Sequence, residues 1–311
     1  MSAAWPRRAA LGLVLVAALP LSVACGGDAR KPPAAPSLAS PLDAIPPDLD
    51  WVVRLDVGRI YATLGQNVVQ TLREKAPSDA SDGAVTFVTD ALAKARVVVV
   101  AARYENGAFR DYVAVLEGDF RGLDPRRYPA EPPWHAPLDL GGDVRRWDRK
   151  KPKNRSDVAR LYARGNDLVV AATEAELDAV EAVLERGTAP NPLRPRERGV
   201  VSLAVRARSF AAGERFPLLG AVFRSVQGAE GFVDTHADGF RVEASCELGT
   251  EMDAKNARDL VEAARLALEA GSGRYAKLAR HTTIEAQGAI VVARAELGRE
   301  VLGELLGEAL R

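Results

Sequence analysis

Residues able to do covalent or acid–base chemistry are few in this chain: two cysteines, Cys25 and Cys246, and three histidines, His135, His236 and His281. Cys246 shares the alternate positions of a strand with Phe240, Val242, Ala244 and Leu248. No cation is placed by the sequence to hold a thiolate there, so it reads as a buried structural thiol. The histidines stand far apart, and none has the i, i+4 or finger-type spacing of a metal pair. Gly271-Ser272-Gly273-Arg274-Tyr275-Ala276 fits the loose dinucleotide pattern GxGxxA. It follows an expected helix, however, where the fingerprint requires a strand, so it reads as a helix end and break. There is no GxSxG elbow, HExxH pair or phosphate-binding GxxxxGK[ST] loop. Carboxylates are plentiful, but no pair stands out for acid–base work. The expectation is a non-enzyme with no catalytic residue, metal or cofactor.

Charge supplies one further candidate. Arg145, Arg146, Arg149, Lys150, Lys151, Lys153 and Arg155 form a basic run around Trp147. Arg149, Lys150, Lys151, Lys153 and Arg155 would be its contacts to lipid phosphates or an acidic envelope polymer. Pro152 and Asn154 are turn formers, so a solvated loop between two strands is the competing reading.

The N-terminus carries the most specific pattern. Arg7 and Arg8 precede an apolar segment from Ala9 to Leu19, broken by Pro20. This is too short to span a bilayer, which takes about 20 apolar residues, and it has the layout of an export signal. Leu21-Ser22-Val23-Ala24-Cys25-Gly26-Gly27 then resembles the lipobox of bacterial lipoproteins. The resemblance implies that Ala24 precedes the cut and that Cys25 is acylated on sulfur and becomes the new N-terminus. It departs from the pattern in having Ser22 where Leu is preferred, with Leu21 one place earlier. Ser22 and Ala24 also suit an ordinary small-x-small cleavage site, which would release a soluble protein. An exposed N-terminal thiol in an oxidising compartment is reactive unless capped, which favours the acylated form. Gly26, by analogy with lipoproteins that leave the inner membrane, points to the outer membrane.

The chain has 311 residues, 47% of them hydrophobic and 27% charged, an ordinary globular mix. Without the first 24 residues the balance is 40 basic to 42 acidic. A nucleic-acid ligand would require a basic excess. Aromatics at 6% are too sparse for a stacking platform, and one free cysteine in the body excludes a disulfide scaffold.

The elements that must position these residues follow from periodicity. Residues 1–24 read as signal peptide and 25–48 as lipid-anchor cysteine and proline-rich tether, with Pro32, Pro33, Pro36, Pro41, Pro46 and Pro47 favouring extended chain. A first half spans 49–187, a linker 188–198 and a second half 199–311. Trp51, Val53, Leu55 and Val57 alternate as a strand with one buried face. Ile60, Leu64, Val68 and Leu72 recur at helical spacing, and Val85, Val88 and Leu92 mark a second helix. Two β-rich runs flank Asn106-Gly107 as a hairpin. Thr173-Glu174-Ala175-Glu176 fits a capping box. In the second half, Ala257, Leu260, Val261, Ala264 and Leu268 form the inner face of a helix, and Val301, Leu302, Leu305 and Leu306 mark a last one. Each half reads strand, helix, hairpin, further elements, hairpin, helix, and Leu168-Val169-Val170-Ala171 resembles Ile290-Val291-Val292-Ala293. The expected fold is α+β, with mainly antiparallel sheets, helices packed on one face and two duplicated halves.

The ensemble is similar to uncharacterised envelope lipoproteins of GC-rich Gram-negative bacteria. That resemblance implies attachment to a membrane through the lipid and supplies no activity. Three functions are carried forward: a non-catalytic envelope protein binding a protein partner or apolar ligand, a periplasmic carrier or chaperone for lipid or lipoprotein, and a hydrolase whose site is assembled from distant residues.

Overall fold

Proline-rich as it is, the segment before Trp51 already belongs to the folded body. In the computed structural model, which describes residues 38–64, 87, 90–105, 108–128, 133–150, 152, 157–207, 209, 224–236, 239–271 and 274–298, Pro41–Ala44 forms a 3-10 turn. Ser40 and Asp43 cap it reciprocally, each side chain accepting from the other's end of the turn. Leu42, Ala44, Ile45 and Leu49 are buried in the main core. The expected tether therefore does not extend to residue 48, because these apolar side chains have a sheet face to cover. Cys25 and the export signal lie outside the described residues.

Among the described residues, twelve strands form one antiparallel sheet. They are β1 (Trp51–Asp56), β2 (Ala95–Glu105), β3 (Ala108–Gly118), β4 (Leu138–Gly141), β5 (Val144–Asp148), β6 (Val158–Arg164), β7 (Leu168–Thr173), β8 (Val201–Arg206), β9 (Val226–His236), β10 (Gly239–Leu248), β11 (Thr282–Gln287) and β12 (Ile290–Gly298). Their order is β11-β12-β10-β9-β8-β1-β2-β3-β7-β6-β5-β4. The helices are α1 (Val57–Leu64), α2 (Leu177–Leu184), α3 (Glu251–Glu269) and α4 (Arg274–Arg280), with a further helical stretch over 90–94. The α+β class and the antiparallel pairing are as expected.

Period-two alternation sorts the side chains of β1–β7 onto two faces, and both are covered. On one face Val52, Val99, Val115, Val170 and Tyr162 pack under the Pro41–Ala44 turn and under Val180 and Leu184 of α2. On the other, Val98, Leu116, Leu161 and Val169 pack with Val57 of α1, Ala91, Phe120 and Leu123. Helices thus lie on both faces of this half and not on one. The expected inward face of β1 is corrected for the same reason: Val52 is fully buried, whereas Trp51, Val53 and Leu55 are half-buried.

Thr173 stands at the N-cap of a 3-10 turn, Glu174–Glu176, that leads into α2, but its side chain makes no cap bond. Its Oγ1 accepts from the Tyr112 amide at 3.1 Å and donates to the Tyr112 carbonyl, closing the β3–β7 edge. Glu176, expected at the far end of that box, pairs with Arg103 instead. Residues 188–198, expected as a linker, are tied to the body. Buried Asn191 donates from Nδ2 to the Pro46 and Leu49 carbonyls at 2.8 and 3.0 Å.

In β8–β12 only one face is apolar. α3 approaches it through Ala254 and Ala257, which pack on Leu248 and Val291 beside Cys246 and Ile284. Small side chains allow that close approach at the first turns of the helix. Farther along, Val261 and Leu268, expected inside, are exposed, as are Met252 and Leu266. No described helix is long and apolar enough to cross a membrane. The expected helix at 301–306 and the Asn106-Gly107 turn lie outside the described residues.

Candidate functional site

A cavity of about 470 Å³ opens on the α1 side of β1–β7, bounded by Leu55, by Phe87, Ala91 and Leu92, and by the loop residues Tyr128 and Trp134. Its origin is a row of short side chains. Val100 faces Ala114, Ala114 faces Ala171, and Ala171 faces Leu161 across four adjacent strands. The neighbouring row, Val98, Leu116 and Val169, is taller and lines the same cavity beside it. Two consecutive alanines thus leave a depression that Phe87, Ala91 and Leu92 roof without filling. The volume lies within the range of about 300–1,000 Å³ usual for small-molecule sites.

The rim is polar. Tyr112, Tyr128, Trp134, Arg149 and Asp157 line it together. The Tyr128 hydroxyl donates to Asp90 Oδ2 at 2.9 Å, and Phe87 meets the Tyr128 ring edge-on at 5.3 Å between centroids. Arg149 lies over the Trp134 ring at 6.0 Å, held by antiparallel bonds from its own amide to Ala159 and from the Lys150 amide to Pro133. Burial raises the Tyr112 hydroxyl above its ordinary value; the Asp157 carboxylate raises it further and Arg149 opposes both. An acid and a guanidinium therefore act on one phenol at the cavity mouth.

The described residues of the basic run do not share one face. Arg149 joins the rim, Lys150 is exposed, and Lys151, Lys153 and Arg155 lie outside the described residues. Arg145 stacks over Trp147 at 5.5 Å. Arg146 points to the opposite face, where with Arg160 and Tyr162 it converges on Glu181 and Asp148. Period-two alternation sends neighbours in sequence to opposite sides of the sheet, which a linear reading of charge misses. The cavity too was missed. Its signal was the alignment of Ala114 with Ala171, visible only once the register is known.

The remaining chemical groups stay apart. Cys246 is half-buried, and burial pushes its thiol up to about 11. His135, His236 and His281 are all exposed on separate elements. No group of three or more His, Cys, Asp or Glu able to hold a metal occurs among the described residues. A second, larger hollow of about 820 Å³ lies on the polar face of β8–β12. Arg196 and Arg294 both pair there with Glu243, holding its carboxyl below the usual range against the opposing effect of burial. These charges neutralise one another, so the hollow presents no concentrated chemistry.

No family model matches the chain, and no curated protein matches it. Among solved structures it is similar to TP0453. Crystal form IV aligns with a TM-score of 0.52 at 11% identity, covering 86% of this chain and 96% of that one. Crystal form III aligns at 0.51 with 12% identity, covering 87% and 99%. At such identity the likeness is one of fold: the architecture described above is shared with TP0453.

Proposed function

We propose that this protein is a non-catalytic, lipid-anchored protein of the bacterial cell envelope that holds an apolar ligand in the cavity beneath Phe87, Ala91 and Leu92. The observation that carries the reading is the apolar floor of Val100, Ala114, Ala171 and Leu161 under a polar rim. An apolar interior with few polar groups at its mouth is the usual build of a site for an amphiphile. Acylation of Cys25 would place the body beside a membrane, with the outer membrane favoured by Gly26. That location supplies both ligand and acceptor for a carrier. The two halves are read as an internal duplication. Outward from the β1–β8 pair, the orders β1-β2-β3-β7-β6 and β8-β9-β10-β12-β11 match, and the similar Leu168–Ala171 and Ile290–Ala293 segments occupy the same place in each.

The test is direct. Ala114→Trp fills the depression from its floor. Titrated with an uncharged pyrene hydrocarbon, the native protein should bind it in a saturable way, and the Trp variant should bind at least tenfold more weakly while melting within a few degrees of the native protein. Equal binding by the two proteins would sink the reading. A second reading, docking of an envelope protein, is favoured by the exposed Met252, Val261, Leu266 and Leu268 on α3. A photo-cross-linker at Leu268 that captures no protein in intact cells would remove it.

A further inference from the structure

The open sheet has two outer strands, β4 and β11. An outer strand offers a row of unpaired amides and carbonyls to any other strand, and proteins blunt such rows with short strands, bulges, prolines or lysines. β4 is blunted. It has four residues, follows Pro137 directly, and slips register between Asp139 and Gly141. Gly141, Gly142 and Asp143 then turn the chain away at positive φ. β11 carries none of these devices. It keeps an unbroken register with β12 from Thr282 to Gln287 and contains no proline or lysine. Among the described residues, nothing pairs with its outer side. Its one charge, Glu285, is matched by Arg294 at 3.1 Å on the polar face. Thr282, Ile284 and Ala286 alternate on the apolar face and are half-buried there, beneath α3, which lies over this edge.

We propose that β11 is the seam of a homodimer, in which the β11 strands of two copies pair antiparallel across a two-fold axis and join their sheets into one. The residues of the strand select the register. An axis normal to the sheet keeps both apolar faces on the same side, so opposed residues share a face and the axis passes through a residue. At Ile284 it sets Ile284 against its own copy, Thr282 against Ala286 and Thr283 against Glu285. Apolar then meets apolar, and a hydroxyl meets a carboxylate. An axis at Glu285 would oppose two carboxylates, and one at Thr283 would set Ala286 and Gln287 against the end of α4. Pairing of two six-residue edges buries only part of the roughly 1,200 Å² that a stable interface needs. α3 supplies the rest. Val261 and Leu268 continue the stripe of Ala254 at seven-residue spacing but lie exposed, and the two-fold brings a second α3 to the same side of the joined sheet. The seam is independent of whatever the cavity holds.

The experiment follows the full mature chain, kept reduced so that no disulfide joins two copies, by sedimentation velocity over a concentration series. The native protein should sediment as a dimer at micromolar concentration. Thr283→Glu is the first variant. Thr283 is exposed and stands opposite Arg294 in its own sheet, so a carboxylate there suits the single copy. Across the seam it opposes Glu285 twice. The dimer should weaken by about tenfold, with an unchanged far-ultraviolet dichroism spectrum. Adding Glu285→Lys turns both opposed pairs into attractions and should restore the dimer to within about threefold of native. A native chain that stays monomeric at roughly 100 µM overturns the seam. So does a dimer that Thr283→Glu leaves equally tight, since its contact then lies on another surface. A double variant no tighter than Thr283→Glu overturns the register at Ile284.

Discussion

Glu181 is the acceptor on which three side chains of the opposite sheet face converge. Arg146 Nη1 reaches it at 3.2 Å and the Tyr162 hydroxyl at 3.3 Å, and Arg160 also donates to it. Tyr162 is almost fully buried, and its hydroxyl is pushed well above the ordinary tyrosine range, mainly by burial. Replacing Glu181 by Ala leaves two guanidiniums and a buried phenol short of an acceptor. The expected cost is about 2 kcal/mol, below that of a fully buried pair because the carboxylate retains some exposure. Glu181→Gln should recover part of it. Urea unfolding of the three proteins measures both values. In the sequence Arg146 was one cation of a basic run, and nothing in that run pointed to a carboxylate on a later helix. Strand alternation alone, by contrast, placed Cys246 on its strand face, although the thiol is half-buried where a buried one was expected.

At the scale of elements, the strands were the readable part. Alternation and the Asn106-Gly107 pair located β1, β2 and β3, since a hairpin is a local event. What alternation could not say was whether a second layer would cover the other face, and so Val52 was assigned outward although it is buried. The helical chain does start directly after Thr173, as a 3-10 turn leading into α2, but without a side-chain cap, because the Thr173 hydroxyl is used across the sheet and not along the chain. The segment 188–198 looked like a linker because prolines dominate it; its anchoring comes from Asn191, whose amide and side chain both bond to the 45–49 stretch, and from the Arg194–Asp43 and Arg196–Glu243 pairs. Asn191→Ala removes both donors to the Pro46 and Leu49 carbonyls, which are then left unpaired in the interior. The expected loss is about 2 kcal/mol, seen as a lower melting temperature with an unchanged far-ultraviolet dichroism spectrum at 25 °C.

For the whole molecule, the boundary between leader and body is the sharpest claim. Leu42, Ile45 and Leu49 complete the core over β1–β3, and each buried side chain of this kind contributes about 1.5–3 kcal/mol. A chain beginning at Leu38 should unfold in the same single transition as the mature protein. One beginning at Trp51 should lose of order 5 kcal/mol or fail to fold. Calorimetry of the two truncations distinguishes them, and equal stability would show that the turn is an ornament on the sheet. Proline content concealed this boundary, since composition weighs Pro41, Pro46 and Pro47 and ignores the apolar residues between them.

The pairing of β1 with β8 has a consequence for the order in which the chain matures. All partners of β2–β7 are in hand once Thr173 has been synthesised, but the backbone groups of Trp51–Leu55 on the outer side of β1 find theirs only with Val201–Val205. A growing chain therefore holds a nearly finished sheet with one raw border for the interval between the two. An unprotected border of this kind recruits foreign strands. Any mutation that delays β8 should raise the yield of entangled, insoluble protein without touching the stability of what does fold.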